Sequence, residues 1–246
     1  MTILDDLLQN NKSIKNIVIL SGAGISAESG IRTFRDSNGL WEDHSIEEVA
    51  TPEAFQKNPK LVHNFYNQRR KQLLSSEVDF NKAHQIITEI EDSNLYNIVV
   101  ITQNVDDLHE RSGTKNVIHM HGELLKTKCT SCNISSPIDS DLDTQSICSH
   151  CDEKGTLRPD IVWFGEMPYQ LNEIETYLNS ADLFLSIGTS GQVYPAAMFV
   201  STTPSECIKL EINIEKTNIS NQFDYSIQES SSKGMEILKN YLLPQK

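Results

Sequence analysis

The chain has 246 residues, 38% of them hydrophobic, which is enough for one large domain with a smaller one beside it. Its 21 Lys and Arg residues against 34 Asp and Glu give a formal net charge of −13, which argues against a nucleic-acid-binding surface. No apolar run approaches the roughly 20 residues that a membrane-spanning helix needs, and the acidic start of the chain does not resemble a secretory signal. We therefore predict a globular cytoplasmic protein without nucleic-acid or membrane partners.

Short apolar runs rich in Val, Ile and Leu, each followed by small or polar residues, recur along the chain. They occupy residues 17–20, 98–101, 117–120, 183–187 and 208–212. Continuous apolar runs separated by helix-length stretches are typical of parallel strands buried on both faces. In such open sheets, ligands bind beyond the carboxyl ends of the strands. The pattern predicts an α/β fold, a Rossmann-like doubly wound parallel sheet, with its site at that edge.

Two stretches interrupt this pattern. Residues 36–80 contain Thr51-Pro52 and Asn58-Pro59, in which a capping residue precedes a proline, as at helix starts. Residues 123–159 lose the apolar periodicity and hold four cysteines. We predict a small lobe made of a helical module (36–80) and a metal-binding insertion (123–159). The Rossmann-like NAD-binding domain would then consist of residues 1–35, 81–122 and 160–246.

The four cysteines form two C-x-x-C pairs, Cys129 with Cys132 and Cys148 with Cys151. Two such pairs can close a tetrahedral site around one Zn²⁺ with no open position, so the ion would be structural. The alternative is a pair of redox motifs, but neither pair opens a helix after a strand. The fifth cysteine, Cys207, is predicted to be a core residue.

Glycines follow the first predicted strand in the sequence Gly22-Ala-Gly24-Ile-Ser-Ala27. In a Rossmann turn, such glycines let the backbone approach a pyrophosphate. The acidic residue expected about 20 positions later, at the end of a second strand, is absent, which disfavours an NAD-dependent dehydrogenase. Asn213 and Glu215, after the run at 208–212, are better candidates to bind a ribose.

Several of these segments together resemble the sirtuins, which are NAD-dependent protein lysine deacylases. The matching motifs, in unbroken order from about residue 16 to 215, are residues 22–31, Phe34-Arg35, 102–106, His119-Met-His121-Gly122, the two cysteine pairs, 188–190 and 213–215. The chain is most similar to bacterial members and to the mitochondrial type that removes acidic acyl groups. The resemblance implies an enzyme that uses NAD and acylated-lysine proteins, carries zinc, and releases nicotinamide, O-acyl-ADP-ribose and free lysine.

The resemblance also assigns roles to residues. His121 would be the base for the ribose hydroxyls, Asn104 would hold the ribose and a water, and Asp106 would bind the nicotinamide amide. A histidine suits that role because its unperturbed pKa lies near working pH. The implied cofactor-binding set is Gly22, Ala23, Gly24, Ser26, Glu28, Ser29, Ile31, Phe34, Arg35, Trp41, Gln103, Asn104, Val105, Asp106, Gly188, Thr189, Ser190, Asn213, Glu215 and Ser231.

Residues 162–166 and 191–194 match the two segments between which sirtuins bind the substrate peptide as an added strand. The implied peptide-binding residues are Val162, Phe164, Gly165, Glu166 and Val193. Main-chain pairing of this kind accepts many sequences, so we expect broad tolerance of lysine sites.

Tyr66 and Arg69 are three residues apart and share a helix face. A guanidinium can bind a carboxylate through two hydrogen bonds, and a phenol adds another donor. In sirtuins, this Tyr-x-x-Arg pattern marks members that bind succinyl, malonyl or glutaryl lysine, and Ala50 matches the small residue that leaves room. The alternative is that Tyr66 packs in the core and Arg69 is solvated, like its neighbours Arg70 and Lys71.

Two other functions stay open at this stage. The same cofactor cleavage could support mono-ADP-ribosyl transfer to a protein. A binding module for NAD or zinc, without catalysis, would tolerate the loss of His121, yet His121, Asn104 and Asp106 are all present.

Overall fold

The computed structural model describes Leu4, residues 14–31 and residues 44–244. The predicted cofactor-binding residues Phe34, Arg35 and Trp41 lie outside these ranges. Among the helices within them, none has both the length and the apolar character needed to cross a bilayer.

The strands are, in chain order, β1 (Asn16–Ser21), β2 (Asn97–Thr102), β3 (Val117–His119), β4 (Gly122–Cys129), β5 (Ser135–Pro137), β6 (Leu157–Ile161), β7 (Leu183–Ile187), β8 (Ile208–Ile212) and β9 (Tyr225–Ile227). Six of them form a parallel sheet in the order β3-β2-β1-β7-β8-β9. This is the strand order of a Rossmann fold, so the predicted fold class is confirmed. The order reverses between β1 and β7, which opens a crevice at their carboxyl ends.

The α-helices are α1 (Ala23–Ser26), α2 (Ile46–Val49), α3 (Pro52–Lys57), α4 (Pro59–Leu73), α5 (Lys82–Asp92), α6 (Leu108–Ser112), α7 (Leu171–Asn179), α8 (Phe199–Thr202) and α9 (Ser231–Leu242). The two helix starts predicted from Thr-Pro and Asn-Pro are confirmed. The Thr51 hydroxyl accepts a hydrogen bond from the amide of Ala54, and Asn58 Oδ1 accepts one from that of Leu61. Each cap satisfies a backbone donor that the helix leaves unpaired.

The parallel sheet is buried on both faces. In β1, Ile17 and Ile19 pack with α5 and α9 on one face, whereas Val18 and Leu20 pack with α7 and α8 on the other. Alternate residues of a strand point to opposite faces, so both faces must be apolar. This explains why β1 has a continuous apolar run.

A smaller antiparallel sheet, β5-β4-β6, packs against helices α2 to α4. Phe65 of α4, Leu124 of β4 and Trp163 beyond β6 belong to its separate core. The helical segment and the cysteine-bearing segment therefore bury apolar side chains against each other.

One expectation about α4 is wrong. Arg70 is not solvated but only 1% exposed. Its Nε donates a hydrogen bond to the carbonyl of Leu124 (3.1 Å), and Nη1 donates to Asn67 Oδ1 (3.0 Å) and to the Ser140 carbonyl (3.2 Å). Lys71, the next residue, is exposed. Arg70 thus fastens α4 to the cysteine-bearing segment.

Two histidines are buried between α5, α6 and β1. His84 and His109 are 0% and 1% exposed, with ring centres 4.9 Å apart, and His109 Nε2 lies 3.0 Å from the Ser21 hydroxyl. Burial lowers the pKa of His84 from 6.5 to about 4, although the Glu110 carboxylate opposes the shift. Burial also lowers the pKa of His109 well below 6.5. Both imidazoles are therefore neutral in the folded protein at pH 7.

We expect acid to destabilise the fold through these histidines. Because His84 binds a proton more readily when unfolded, its contribution is complete above pH 6.5 and is lost as the pH falls towards 4. The loss is about 3 kcal/mol of unfolding free energy at full effect. The pH dependence of the unfolding free energy, from urea titrations between pH 7.5 and 4, measures it.

His84→Gln is the matched variant for this test. His84 Nδ1 accepts the backbone N–H of Asn81 as the third residue of α5, a position where glutamine also caps helices. The variant keeps the cap and removes the titration, so its stability should fall less steeply with acid than that of the wild type. Parallel curves for the two proteins would contradict the prediction.

Candidate active site

Glycines at the crevice let the turns after β1 and β7 interlock. The amide of Gly24 donates a hydrogen bond to the carbonyl of Gly188 (2.7 Å), and that of Gly22 donates to Ile187 (3.0 Å). A Cβ on Gly24 would lie 2.7 Å from Gly188 Cα, closer than real Cβ atoms approach. Gly188 itself has a φ of +62°, which favours glycine. The result is a backbone-lined cradle in which a pyrophosphate can approach closely.

Three polar side chains form a buried network beside this cradle. Asn104 Nδ2 donates to the Gly22 carbonyl and lies 3.1 Å from the Ser26 hydroxyl, which donates to Asp106 Oδ2 at 2.9 Å. Burial raises the pKa of Asp106, while hydrogen bonds from Ser26 and from the Leu108 amide favour its ionised form. The network fixes the Asn104 amide and the Asp106 carboxyl at the end of β2.

His121 follows β3 and has a defined tautomer. Its Nδ1 lies 3.0 Å from the backbone carbonyl of Gln103, which can only accept, so Nδ1 carries the proton. Nε2 is then left with its lone pair, as a general base requires. Burial lowers the pKa of His121 below its ordinary value, although the Gln103 carbonyl opposes the shift. The side chain is therefore neutral at pH 7.

Other predicted cofactor-binding residues meet around Thr189. Gln103 Nε2 donates to its hydroxyl (3.0 Å), and Asn213 Nδ2 donates to its carbonyl (2.7 Å). The Ser231 hydroxyl donates to the carbonyl of Gly24 (3.2 Å), which brings the start of α9 to the cradle. Glu215 lies on the exposed loop beyond β8. Gln103 and Asn213 thus meet at Thr189, and Ser231 lies beside Gly24 of the cradle; these four polar residues are the polar wall.

The other described members of the predicted set make separate contacts. Glu28 Oε1 accepts the Ser232 amide (3.0 Å), and the Ser29 hydroxyl accepts from Asn81 (2.9 Å). The Ser190 hydroxyl accepts the amide of Gln192. Ala23 begins α1, Ile31 follows Gly30, and the Val105 carbonyl accepts the Leu124 amide.

The predicted peptide-binding segments leave few free amides. The amide of Val162 donates to the His121 carbonyl (2.9 Å), and that of Phe164 donates to the Ala50 carbonyl (3.0 Å). At Gly165, a Cβ would meet no heavy atom of the described chain within 4 Å, so this side is open. The Val193 carbonyl, in the second segment, accepts the Ala197 amide.

Glu166 is engaged within the protein. Its carboxylate accepts two hydrogen bonds from the guanidinium of Arg158, at 2.7 and 2.9 Å, and a third from the Trp163 amide. The guanidinium of Arg158 also stacks over the Trp163 ring, with 3.4 Å from its carbon to the ring centre. A peptide in this segment therefore meets a neutralised pair at Glu166.

Two of the predicted acyl-binding residues, Tyr66 and Ala50, share a core with Trp163. Tyr66 is fully buried, and the indole Nε1 of Trp163 donates to its hydroxyl (2.9 Å). Burial raises the pKa of Tyr66, so its phenol stays protonated. Arg69 is half-buried, with its guanidinium 4.9 Å from the centre of the Phe65 ring, and Ala50 is buried beside these helices.

The four paired cysteines converge in the small sheet. All four sulfur atoms lie within 4.8 Å of one another, and the Sγ atoms of Cys129 and Cys151 are 3.7 Å apart, those of Cys132 and Cys148 3.8 Å apart. Tetrahedral Zn–S bonds of about 2.3 Å require sulfur atoms about 3.8 Å apart. His150, which lies between Cys148 and Cys151 in the sequence, is not needed as a fifth ligand, and its Nε2 contacts the Ser136 hydroxyl. The sulfurs fit one structural Zn²⁺ ion.

The Sir2 family model matches residues 22–195, which is more than half of the chain. The chain belongs to the Sir2 family. Among curated relatives, an NAD-dependent protein deacylase of Bdellovibrio bacteriovorus is 56% identical over 210 residues, covering 85% of this chain and 89% of that protein. One of Rhodopirellula baltica is 48% identical over 237 residues, covering 92% and 98%.

Solved Sir2 structures have the same fold. A Sir2 homologue in complex with NAD superposes with a TM-score of 0.87 at 39% identity, covering 97% of this chain and 93% of that one. A mutant Sir2 homologue with ADP-ribose gives 0.88 at 38% identity, covering 97% and 96%. The family resemblance noted in the sequence is thus confirmed.

Sequence reasoning on this Sir2-family protein missed a histidine–carboxylate pair two residues before His121. His119, at the end of β3, has its Nε2 2.7 Å from Glu110 Oε1. Burial alone would lower the pKa of His119, but the Glu110 carboxylate raises it above its ordinary value. The two residues are nine positions apart on different elements, so no local spacing pattern could reveal the pair.

Proposed function

We propose that this Sir2-family protein is an NAD-dependent protein deacylase that removes acetyl, succinyl and malonyl groups from lysine side chains. The observation that carries the proposal is the neutral His121, with Nε2 unprotonated, beside the buried Asn104–Ser26–Asp106 network at the crevice of the sheet. NAD supplies the ADP-ribose group that accepts the acyl group, with release of nicotinamide. We place the protein in the cytoplasm, where thiol ligands such as its cysteine quartet stay reduced.

Different residues in and around the cradle would bind different parts of NAD. The backbone of Gly22, Gly24 and Gly188 would hold the pyrophosphate, and the polar wall around Thr189 would hold the adenosine. Asn104 and Asp106 would orient the nicotinamide ribose and the carboxamide, because both groups are fixed by hydrogen bonds. His121 would take a proton from a ribose hydroxyl at Nε2. Its fixed tautomer keeps that atom ready to accept.

Selectivity for acidic acyl groups would come from Arg69 with Tyr66 and Ala50. A half-buried guanidinium in a protein of net charge −13 is a suitable partner for the distal carboxylate of a succinyl or malonyl group. The acyl-lysine would enter beside Val162 and Gly165, with the peptide pairing along residues 162–166 and 191–194.

The test is a competition in one tube between two copies of a peptide, one carrying acetyl-lysine and one carrying succinyl-lysine. With NAD present, mass spectrometry should show both acyl groups leaving, O-acyl-ADP-ribose forming, and nicotinamide released in equal amount. Mass added to a protein that carries no acyl-lysine would instead indicate mono-ADP-ribosyl transfer. If no nicotinamide were released, the protein would be a binding module for NAD or zinc without catalysis.

Arg69→Met should reduce kcat/KM for the succinyl peptide about tenfold or more, since one charge-assisted contact is lost, and change that for the acetyl peptide much less. Lys71→Met, two residues further along α4 and exposed, is the matched control and should leave the ratio of the two rates unchanged. Equal losses on both peptides with Arg69→Met would show that Arg69 does not contact the acyl carboxylate.

A further inference from the structure

A cavity of about 280 Å³ opens on the small lobe next to the peptide-binding segment. Val162, Glu166 and Met167 line it from in or beside the predicted peptide-binding segment. The rest of the lining consists of Lys128, Cys129, Thr130, Asn133, Arg158 and Tyr169. Met167 is 74% exposed and Gly165, two residues before it, has open space beside it, so this part of the lining reaches the surface. A side chain of a bound peptide can therefore enter it without displacing the core.

The cations in this cavity differ in what neutralises them. Both terminal nitrogens of Arg158 donate hydrogen bonds to the Glu166 carboxylate, and one of them, Nη2, also donates to the Ile161 carbonyl. Lys128 Nζ lies 3.4 Å from the Tyr169 hydroxyl and 5.2 Å from the centre of its ring. Within the described part of the chain, no carboxylate oxygen lies within 4 Å of this ammonium, although Glu166 is near enough to feel its charge. Lys128, unlike Arg158, is thus available to pair with a carboxylate of a bound molecule.

Tyr169 holds that ammonium in place. Its hydroxyl donates to Asp160 Oδ1 (2.7 Å), and the other oxygen of Asp160 accepts the hydroxyl of Ser135. The oxygen of Tyr169 is therefore oriented to accept from Lys128. Burial, and then the hydrogen bond to Asp160, raise the pKa of Tyr169, so its phenol stays neutral. In the wall of the cavity, which also borders Cys129 of the zinc site, Arg158 and Glu166 neutralise each other, so Lys128 supplies the cation that a ligand would meet.

We propose that this cavity binds an acidic side chain of the substrate protein, a glutamate or aspartate near the acyl-lysine, through Lys128. The proposal rests on the deacylase function and adds a preference that main-chain pairing alone does not give. The net charge of −13 repels acidic peptides in general. A glutamate or aspartate should therefore increase peptide affinity only at the peptide position that reaches Lys128. Lys128 would act on substrate affinity and not on the chemical step.

The test uses acetyl-lysine peptides of one sequence, in which a single glutamate is placed in turn two to five residues before or after the acyl-lysine, each paired with its glutamine version. At one or two positions, the glutamate peptide should have a KM about three- to tenfold lower at unchanged kcat. Lys128→Met should abolish that difference, and Lys128→Glu should reverse it in favour of a lysine at the same position. High salt should weaken the preference.

Lys126→Met is the matched control, because Lys126 lies on the same strand but pairs with Glu123; it should keep the preference. Equal turnover of every glutamate and glutamine pair would overturn the proposal while leaving the deacylase function standing. A loss of kcat on all peptides with Lys128→Met would also overturn it, since that would mark a structural role. Failure of the wild type on every peptide would reject the proposed function itself.

Discussion

His121→Asn should lower kcat for deacylation by about 10²- to 10⁴-fold, the range typical of a lost general base. Asn is close in size and can still donate to the Gln103 carbonyl, as Nδ1 of His121 does, so the site should keep its shape. What it lacks is the basic nitrogen at Nε2. Steady-state kinetics with an acetyl-lysine peptide, and calorimetric binding of NAD, would show a large loss of rate with a small loss of affinity.

The pH dependence of kcat/KM tests the role of His121 in a second way. Because burial lowers the pKa of His121, the base stays unprotonated to a lower pH than an ordinary histidine. The acidic limb of kcat/KM should therefore lie below pH 6.5, and the rate should fall as the pH drops through that limb. In His121→Asn, the limb should disappear.

His119→Gln is the control for a buried imidazole at the same strand end. It removes the pair with Glu110 but leaves His121 in place. If His119→Gln abolished the acidic limb and His121→Asn kept it, the general base would be His119. A rate for His121→Asn within a few-fold of the wild type would show that catalysis does not depend on its imidazole.

Features set by local sequence were predictable. A strand buried on both faces needs consecutive apolar residues, so β1 and β2 were visible as runs, and Asn58 before a proline marked the start of α4. The two cysteine pairs were equally visible, since each pair must bind one ion from a tight turn. By contrast, β9 has a single buried residue, Ile227, so no run of apolar residues in the sequence predicts this strand.

Features set by distant contacts were not predictable. Arg70 reads as one of several charged residues on a helix, and its burial follows from carbonyl groups more than 50 positions away. The tautomer of His121 likewise depends on the carbonyl of Gln103, which lies 18 positions away just after β2. Such partners are chosen by the fold, and neither the residue type nor its spacing carries that information.

Arg70→Met should reduce the free energy of unfolding by about 2–4 kcal/mol, because the oxygens of Leu124, Ser140 and Asn67 each lose a buried donor. For a chain of this size, the midpoint of thermal unfolding would fall by about 5–12 °C. Differential scanning calorimetry measures the shift. Arg70→Lys should recover little of it, since an ammonium cannot reproduce the planar set of donors.

Lys71→Met is the matched control for this prediction. Its ammonium lies 3.6 Å from Asp141 on the same segment that Arg70 contacts, but both side chains are exposed. An exposed ion pair contributes about 0–1 kcal/mol, so the midpoint should move by no more than about 4 °C. Asn67 binds both the amide and the carbonyl of Leu142, so α4 holds residues 140–142 through buried hydrogen bonds. If Arg70→Met shifted the midpoint no more than Lys71→Met, those bonds would not be what joins α4 to the cysteine-bearing segment.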